Sequence, residues 1–509
     1  MTNARNIADL GTDIVSDACN NVALGEGAAD SITSGANNTA VGQSALTANT
    51  TGVDNAAFGG SALADNTTGA SNLAAGYLAL ADNTSGCNNT SVGRNAMRLN
   101  TTASENTAVG YLALTSNTTG GSNVAVGANA LQSATTPGGN TAVGRLALTA
   151  NTTASNNTAV GYRALTTNTT GGNNSAFGFD ALNANTTGGN NVAVGYKALC
   201  LNTTASGNTA VGYSTLGSNT TGFHNTGMGL NTMGEVTTGH GNTAIGYATL
   251  CAVTTGYQNT AVGKAAADAT TTGYNNTAIG YNALGSNTTG VNNVAIGRDA
   301  LASIIGTTNT AVGDQAGQGL TTGNNNTLIG DNAGELMTAA SNNTIIGRFN
   351  GNEDGFDLRT SNDNVIIATG GGNVVFAKAG GVTRLPDAGG DGTSDGANAV
   401  LRTDGRLQRS NSSRRYKTEI QDAPFGLQDA INLRPVTFKG INDGNKVFAG
   451  FIAEEVDEAG LDYFVQYNPE GQPEGISYGN ITSLLTAAIK ELKAELDEAK
   501  ARITTLENA

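Results

Sequence analysis

Ser412 and Lys417, five positions apart in the run Ser412-Ser413-Arg414-Arg415-Tyr416-Lys417, put a hydroxyl and an amine at a junction where the chain could cut itself. A serine hydroxyl is a weak nucleophile until a neighbouring base takes its proton. A lysine serves as that base only as the neutral amine, which desolvation or nearby positive charge favours. Arg414 and Arg415 stand beside it and could supply that charge. The substrate would be the chain's own backbone at the Asn411–Ser412 bond, so no separate substrate pocket is needed. Ser410 and Ser413 are rival hydroxyls at the same junction.

The junction separates two unlike stretches. Ahead of it runs a Gly/Asn/Thr-rich array whose closing glycines fall every 17 residues from Gly25 to Gly297, then at Gly313, Gly330 and Gly347 after a single deletion. A clear copy is Asn157 to Leu165 followed by Asn168-Thr169-Thr170-Gly171. Thr-Ala-Val is a β-type run, with Val160 and its equivalents expected to point inward; Ala164-Leu165 supplies a second apolar spot. Gly and Asn tolerate the positive φ of tight turns. One such unit has too little apolar area to stand alone, so stacked turns must close the core. The expected fold is mainly β: a parallel β-solenoid or β-roll of 17-residue turns over 19–348. Its core is thin enough to favour a homotrimer. Residues 1–18 are an N-terminal attachment segment, and 349–411 a β stalk where the repeat decays.

A tyrosine follows the closing glycine at Tyr77, Tyr111, Tyr162, Tyr196, Tyr213, Tyr247 and Tyr281, with Arg94, Arg145, Lys264, Arg298 and Arg348 at the same register. Tyr162, Tyr196, Tyr213, Tyr247 and Tyr281 form a candidate receptor stripe, because aromatic faces stack on sugars; a subunit-interface stripe is the alternative. Asp180 and Asp299 share a register seven turns apart, too far for a glycosidase pair, whose carboxylates sit within roughly 10 Å. Cys200 and Cys251, three turns apart, are too distant for a disulfide and are expected to fill small core spaces. The Asn-x-Thr triplets are taken as ladder and turn residues, not glycan acceptors.

Segment 412–509 resembles the C-terminal intramolecular-chaperone peptidase of phage tail spikes and fibres, the endosialidase-type family. The family's Ser-Asp-x-Arg-x-Lys junction is matched by Ser412, Arg415 and Lys417, with Ser413 in the Asp place. Gly450-Phe451-Ile452-Ala453-Glu454-Glu455-Val456 is similar to its strand-to-helix element, with Glu454 for Gln. Tyr478, Leu484-Leu485 and Ala487 to Leu492 are similar to its closing segment. The resemblance implies a small α+β chaperone domain with Ser412 as nucleophile and Lys417 as general base. The apolar steps Leu485, Ile489, Leu492, Leu496, Ala499, Ile503 and Leu506 follow heptad a/d spacing, which places a coiled coil at 481–507. The array itself is similar to the β-roll heads of trimeric autotransporter adhesins, whose period is shorter.

Composition narrows the rest. Only 13% of the 509 residues are charged, and the net charge is −15. The first 400 residues carry −11, so a phosphate-binding basic surface is not expected and nucleic acid is excluded as a partner. No apolar run is long enough to span a membrane as a helix, the start lacks a signal-type apolar run, and no cofactor or metal is called for. The expected protein is a phage tail fibre or spike subunit in the virion tail, assembled in the host cytoplasm. It would join the tail or baseplate through its N-terminus and bind a glycan or protein receptor on the host surface. A bacterial trimeric adhesin and a contractile-injection-system fibre are the alternatives.

Overall fold

The computed structural model describes residues 19–353, 355–371, 373–379, 382–384, 399–401, 407–409, 420–439, 447–468 and 470–508. The chain divides into two compact units, 1–392 and 393–509.

The first unit is a parallel β-solenoid. Twenty three-residue strands, from Val22–Leu24 to Thr344–Ile346, each pair in parallel with the strand one turn away. The pairing is in strict register: Thr158 lies on Ser175, Ala159 on Ala176 and Val160 on Phe177. The deletion is absorbed between Val294–Ile296 and Thr310–Val312, where Val294 pairs with Thr310. One further rung, Val365–Ala368, joins the stack in parallel on Thr344–Ile346. Antiparallel strands Val374–Ala379 and Val382–Arg384 then close that edge, which removes a row of unpaired amides open to adventitious pairing.

Each turn buries five side chains, as the copy at 157–168 shows. Asn157, Ala159, Ala164, Leu165 and Asn168 are all fully buried. Val160 is not among them, contrary to the expectation from sequence. Side chains alternate along a strand; Asn157 is held inside, so Thr158 faces out, Ala159 in and Val160 out. A core this narrow takes alanine on the strand and leaves the larger β-branched residue outside. Leu165 is buried at φ 51°. An L-residue in the left-handed region costs about 1–2 kcal/mol, and full burial of a leucine returns about 1.5–3 kcal/mol. Its N–H reaches the Ala181 carbonyl of the next turn at 3.0 Å, so the strained residue also stitches the stack.

Two asparagine ladders run inside the coil. In the first, the Asn174 amide donates to Asn157 Oδ1 (3.1 Å) and to the Gly188 carbonyl (2.9 Å), while the backbone N–H of Asn174 also donates to Asn157 Oδ1 (2.9 Å). In the second, Asn185 donates to Asn168 Oδ1 at 2.8 Å and to the Gly188 carbonyl at 2.9 Å. Every asparagine-to-asparagine bond in these ladders points the same way along the rod, so the last Oδ1 of each run has no donor. Among the buried oxygens without partners are the four ladder ends, those of Asn117, Asn219, Asn287 and Asn364. Asn117 is followed one turn later by Ala134, Asn219 by Val236 and Asn287 by Ile304; Asn364 ends the first ladder. Ala134→Asn would rejoin the run between Asn117 and Asn151. It should stabilise the rod by about 1–3 kcal/mol, the cost of an unmatched buried acceptor, read as a higher urea midpoint. Val236→Asn should give no comparable gain, because Val253 follows and the orphan only moves on by one turn.

Outward from each strand, an apolar row runs unbroken from Leu24 to Ile367. Phe177 is 41% exposed, Ile245 40% and Ile346 44%. Over twenty rungs this row leaves on the order of 1,000 Å² of apolar surface, well above the few hundred usual for a monomer.

The second unit is small. Helices Leu427–Asn432, Ala453–Glu458 and Tyr478–Glu507 and two antiparallel pairs, Val436–Lys439 with Val447–Gly450 and Val465–Tyr467 with Pro473–Ile476, surround its core. Val456, Leu461, Phe464, Val465, Ile481 and Leu484 form that core, with Phe425 edge-on to Phe464 at 5.1 Å. Glu491 of the long helix accepts from the Leu427 N–H at 2.6 Å and so caps the first helix. The long helix uses Ile481, Leu484 and Ala488 for packing. Leu485, Ile489, Leu492, Leu496, Ile503 and Leu506 stay exposed along a heptad seam.

Candidate functional site

The residue after the closing glycine lies outside the coil because Gly161 and its equivalents turn the chain sharply at φ near 135°. Exact stacking of turns then brings these side chains into one rail. Tyr162, Phe179, Tyr196 and Tyr213 form a continuous ring stack, with centroids 5.3, 5.2 and 5.0 Å apart and planes within 28°. Offset ring pairs contribute about 0.5–1.5 kcal/mol each beyond their burial. Arg145 closes the open face of Tyr162 at 5.8 Å, and Lys264 sits between Tyr247 and Tyr281 at 5.9 and 5.8 Å. Lys197, one position further along its turn, lies 5.4 Å from the Tyr196 ring.

All five stripe tyrosines read from the sequence are thus exposed and aligned. In the run 162–213, neighbouring rings and Arg145 lie against both faces of Tyr162, Phe179 and Tyr196 and one face of Tyr213. What this run offers a ligand is ring edges, hydroxyls and cations. Phe179 extends the stripe and was missed because only tyrosine was followed along the register. A second stack, Phe223, His240, Tyr257 and Tyr274, was missed altogether. Its rings lie 4.8, 5.2 and 4.6 Å apart with planes within 12°. The 17-residue spacing of those four positions was the available signal.

Towards the C-terminal end of the rod the rail becomes ionic. Arg298 pairs with both oxygens of Asp314 (2.9 and 2.7 Å) and Arg348 approaches Asp331 at 3.8 Å. The hydrogen bond from Arg298 to Asp314 raises the guanidinium's pKa further. Asp180 and Asp299 are each tied to an arginine, Arg163 at 3.4 Å and Arg298 at 3.5 Å. Cys200 and Cys251 are half-buried at a corner of the coil and not in its core, correcting the core-filler expectation. They form no disulfide, and burial raises both thiol pKa values. Among the described residues, no group of acidic, histidine and cysteine side chains could hold a metal ion, and no helix is long and apolar enough to cross a membrane.

The junction residues Asn411, Ser412, Arg415 and Lys417 lie outside the described residues. Two of the downstream motifs are described and come together. Strand Val447–Gly450 passes through Phe451-Ile452 into helix Ala453–Glu458, and the Phe451 N–H donates to the Tyr478 hydroxyl at 2.9 Å. Phe438, Phe451, Glu454, Glu474 and Tyr478 line a cleft of about 280 Å³ there. Glu455 turns away to Arg434, whose hydrogen bond lowers the carboxyl's pKa. Tyr467 donates to Asp457, which pushes the phenol up to about 12.

No protein-family model, curated protein or solved structure matches the chain.

Proposed function

We propose that this chain is a subunit of a homotrimeric phage tail fibre or spike. Its solenoid presents a receptor-binding surface, and its C-terminal segment is a chaperone that aligns three copies and then cuts itself off. The observation that carries the oligomer is the unsatisfied apolar surface. The outward apolar row of the rod is half-buried to exposed along its length, and the heptad seam of helix Tyr478–Glu507 is exposed. A row repeating at about 4.8 Å per rung is covered along its whole length only by a partner of the same period, which a second copy in register supplies. Parallel strands pair late and slowly, so a helical clamp that sets the register first has a physical use. Release of the clamp leaves the rod held by its unfolding barrier.

For the cutting step, Ser412 is the nucleophile towards the Asn411–Ser412 bond and Lys417 the base, with Arg415 in support. This reading rests on the junction motif and on the downstream motifs that the fold joins through Phe451 and Tyr478. At 50.9 kDa for 509 residues, cleavage should give fragments of about 41 and about 10 kDa. The parent should show both on a denaturing gel, while Ser412→Ala and Lys417→Ala remain whole. Identical behaviour of all three would end the self-cleavage reading. A monomeric mass for the parent by light scattering, before and after cutting, would end the trimer.

A further inference from the structure

The rod is acidic, yet its few cations are gathered on one edge. Residues 19–348 contain eight lysines and arginines: Arg94, Arg98, Arg145, Arg163, Lys197, Lys264, Arg298 and Arg348. Seven of the eight occupy the first two positions after a closing glycine; Arg98 alone does not. From Tyr77 to Asn282 those two positions hold five cations and a single carboxylate, Asp180, which is spent on Arg163. Among the described residues, Arg94, Arg145, Lys197 and Lys264 have no ion-pair partner. The tyrosines between them are 36–55% exposed, and their hydroxyls make no hydrogen bond with another described residue.

We infer that this rail, from Tyr77 to Asn282, binds an extended anionic polysaccharide along the rod axis. The inference rests on the reading of the rod as a receptor-binding surface and names the ligand class of that surface. The spacing of the cations points to the class. Arg94 to Lys264 spans ten turns, on the order of 48 Å at the usual strand separation, with five cations over that length. A nucleic-acid strand presents a phosphate about every 3.4 Å and seeks open ring faces for its bases. Here the charges are sparse, and in the main stack the faces are covered. An acidic glycan carries one carboxylate per sugar or per few sugars and is otherwise hydroxyl-rich. It would meet a cation every few rungs and, between them, tyrosine hydroxyls and the amide of Asn129.

The test uses the whole chain with three probes: polygalacturonate, neutral dextran and double-stranded DNA. Polygalacturonate should bind and weaken as salt rises, because the contacts are exposed charges. The triple variant Arg145→Gln/Lys197→Gln/Lys264→Gln should bind it at least about tenfold more weakly, and Arg98→Gln, off the rail, should match the parent. No binding of polygalacturonate, equal binding of dextran, a preference for DNA or an unaffected triple variant would each overturn the rail. Mass and junction cleavage read on the same preparations keep the two readings apart: a variant that stays trimeric and cut, with binding unchanged, sinks the rail and leaves the fibre standing.

Discussion

Asn174→Ala should destabilise the rod by about 2–4 kcal/mol, although it removes a polar side chain from an interior where polarity is normally costly. Asn174 is fully buried. Its Oδ1 accepts from the backbone N–H of Asn191 (3.0 Å) and from the Asn191 amide (3.1 Å). Its own amide donates to Asn157 Oδ1, Gly171 and Gly188. Most of these partners keep a second bond: the Asn191 amide retains the Ala205 carbonyl and the Gly188 carbonyl retains Asn185. The Asn191 backbone N–H loses its acceptor outright. A stranded buried donor costs about 1–3 kcal/mol, and the emptied volume adds to that. The neighbouring Asn173→Ala is the control. Asn173 is exposed at φ 60°, and its N–H is held by the Ser155 carbonyl, so only the left-handed backbone preference is lost, about 1 kcal/mol. Because each turn touches mainly its neighbours, the damage from Asn174→Ala should be local. Limited proteolysis should nick the chain near 171–191 before the rod melts, and the Asn173 variant should resist.

The contrast between these two adjacent asparagines marks what sequence reading reached. The 17-residue period, the parallel stack and the single deletion were legible because turn glycines punctuate the chain evenly from Gly25 to Gly297 and again from Gly313 to Gly347. The buried pair Ala164-Leu165 was legible too. The inward residue of the strand was not, because hydrophobicity favours Val160 over Ala159. Phase is set by Asn157, and a polar residue is seldom taken as the inward anchor. Nothing in composition reveals that Asn157 and Asn168 are each satisfied by their own equivalents in the neighbouring turns; that needs the exact superposition of rungs. The tyrosine stripe was visible as a register. Its ring-on-ring geometry, which changes what it offers a ligand, follows from the rise of the coil. In the second unit, spacing identified the heptad seam. Which helical face stays exposed is decided by Ile481, Leu484 and Ala488, which fix the packed side.

Gly195→Ala should be among the most damaging single-methyl changes in the rod, costing about 3 kcal/mol or more. Two constraints meet at this position. Gly195 has φ 135°, beyond the left-handed well that other residues visit, and such backbone costs on the order of 1–3 kcal/mol when a side chain is imposed. A Cβ there would also stand 2.3 Å from the Gly212 carbonyl oxygen and 2.7 Å from its carbon. That carbonyl belongs to the backbone of the next rung, whose own glycine faces Gly229 at the same distance, so relief must be sought by shifting turns and not by rotating a side chain. Close approach alone does not set the cost, as Gly188 shows. A Cβ at Gly188 would lie 2.2 Å from the Ala205 carbonyl, yet the same register carries Ala103, Pro137, Ala154 and Ala205 in other turns. There φ is not positive, and the turn accommodates the methyl. Gly188→Ala should therefore cost under about 1 kcal/mol. Thermal unfolding of the two variants should separate them widely, with Gly195→Ala melting first; comparable melting would mean that proximity to the neighbouring rung, and not the backbone angle, governs which glycines the coil requires.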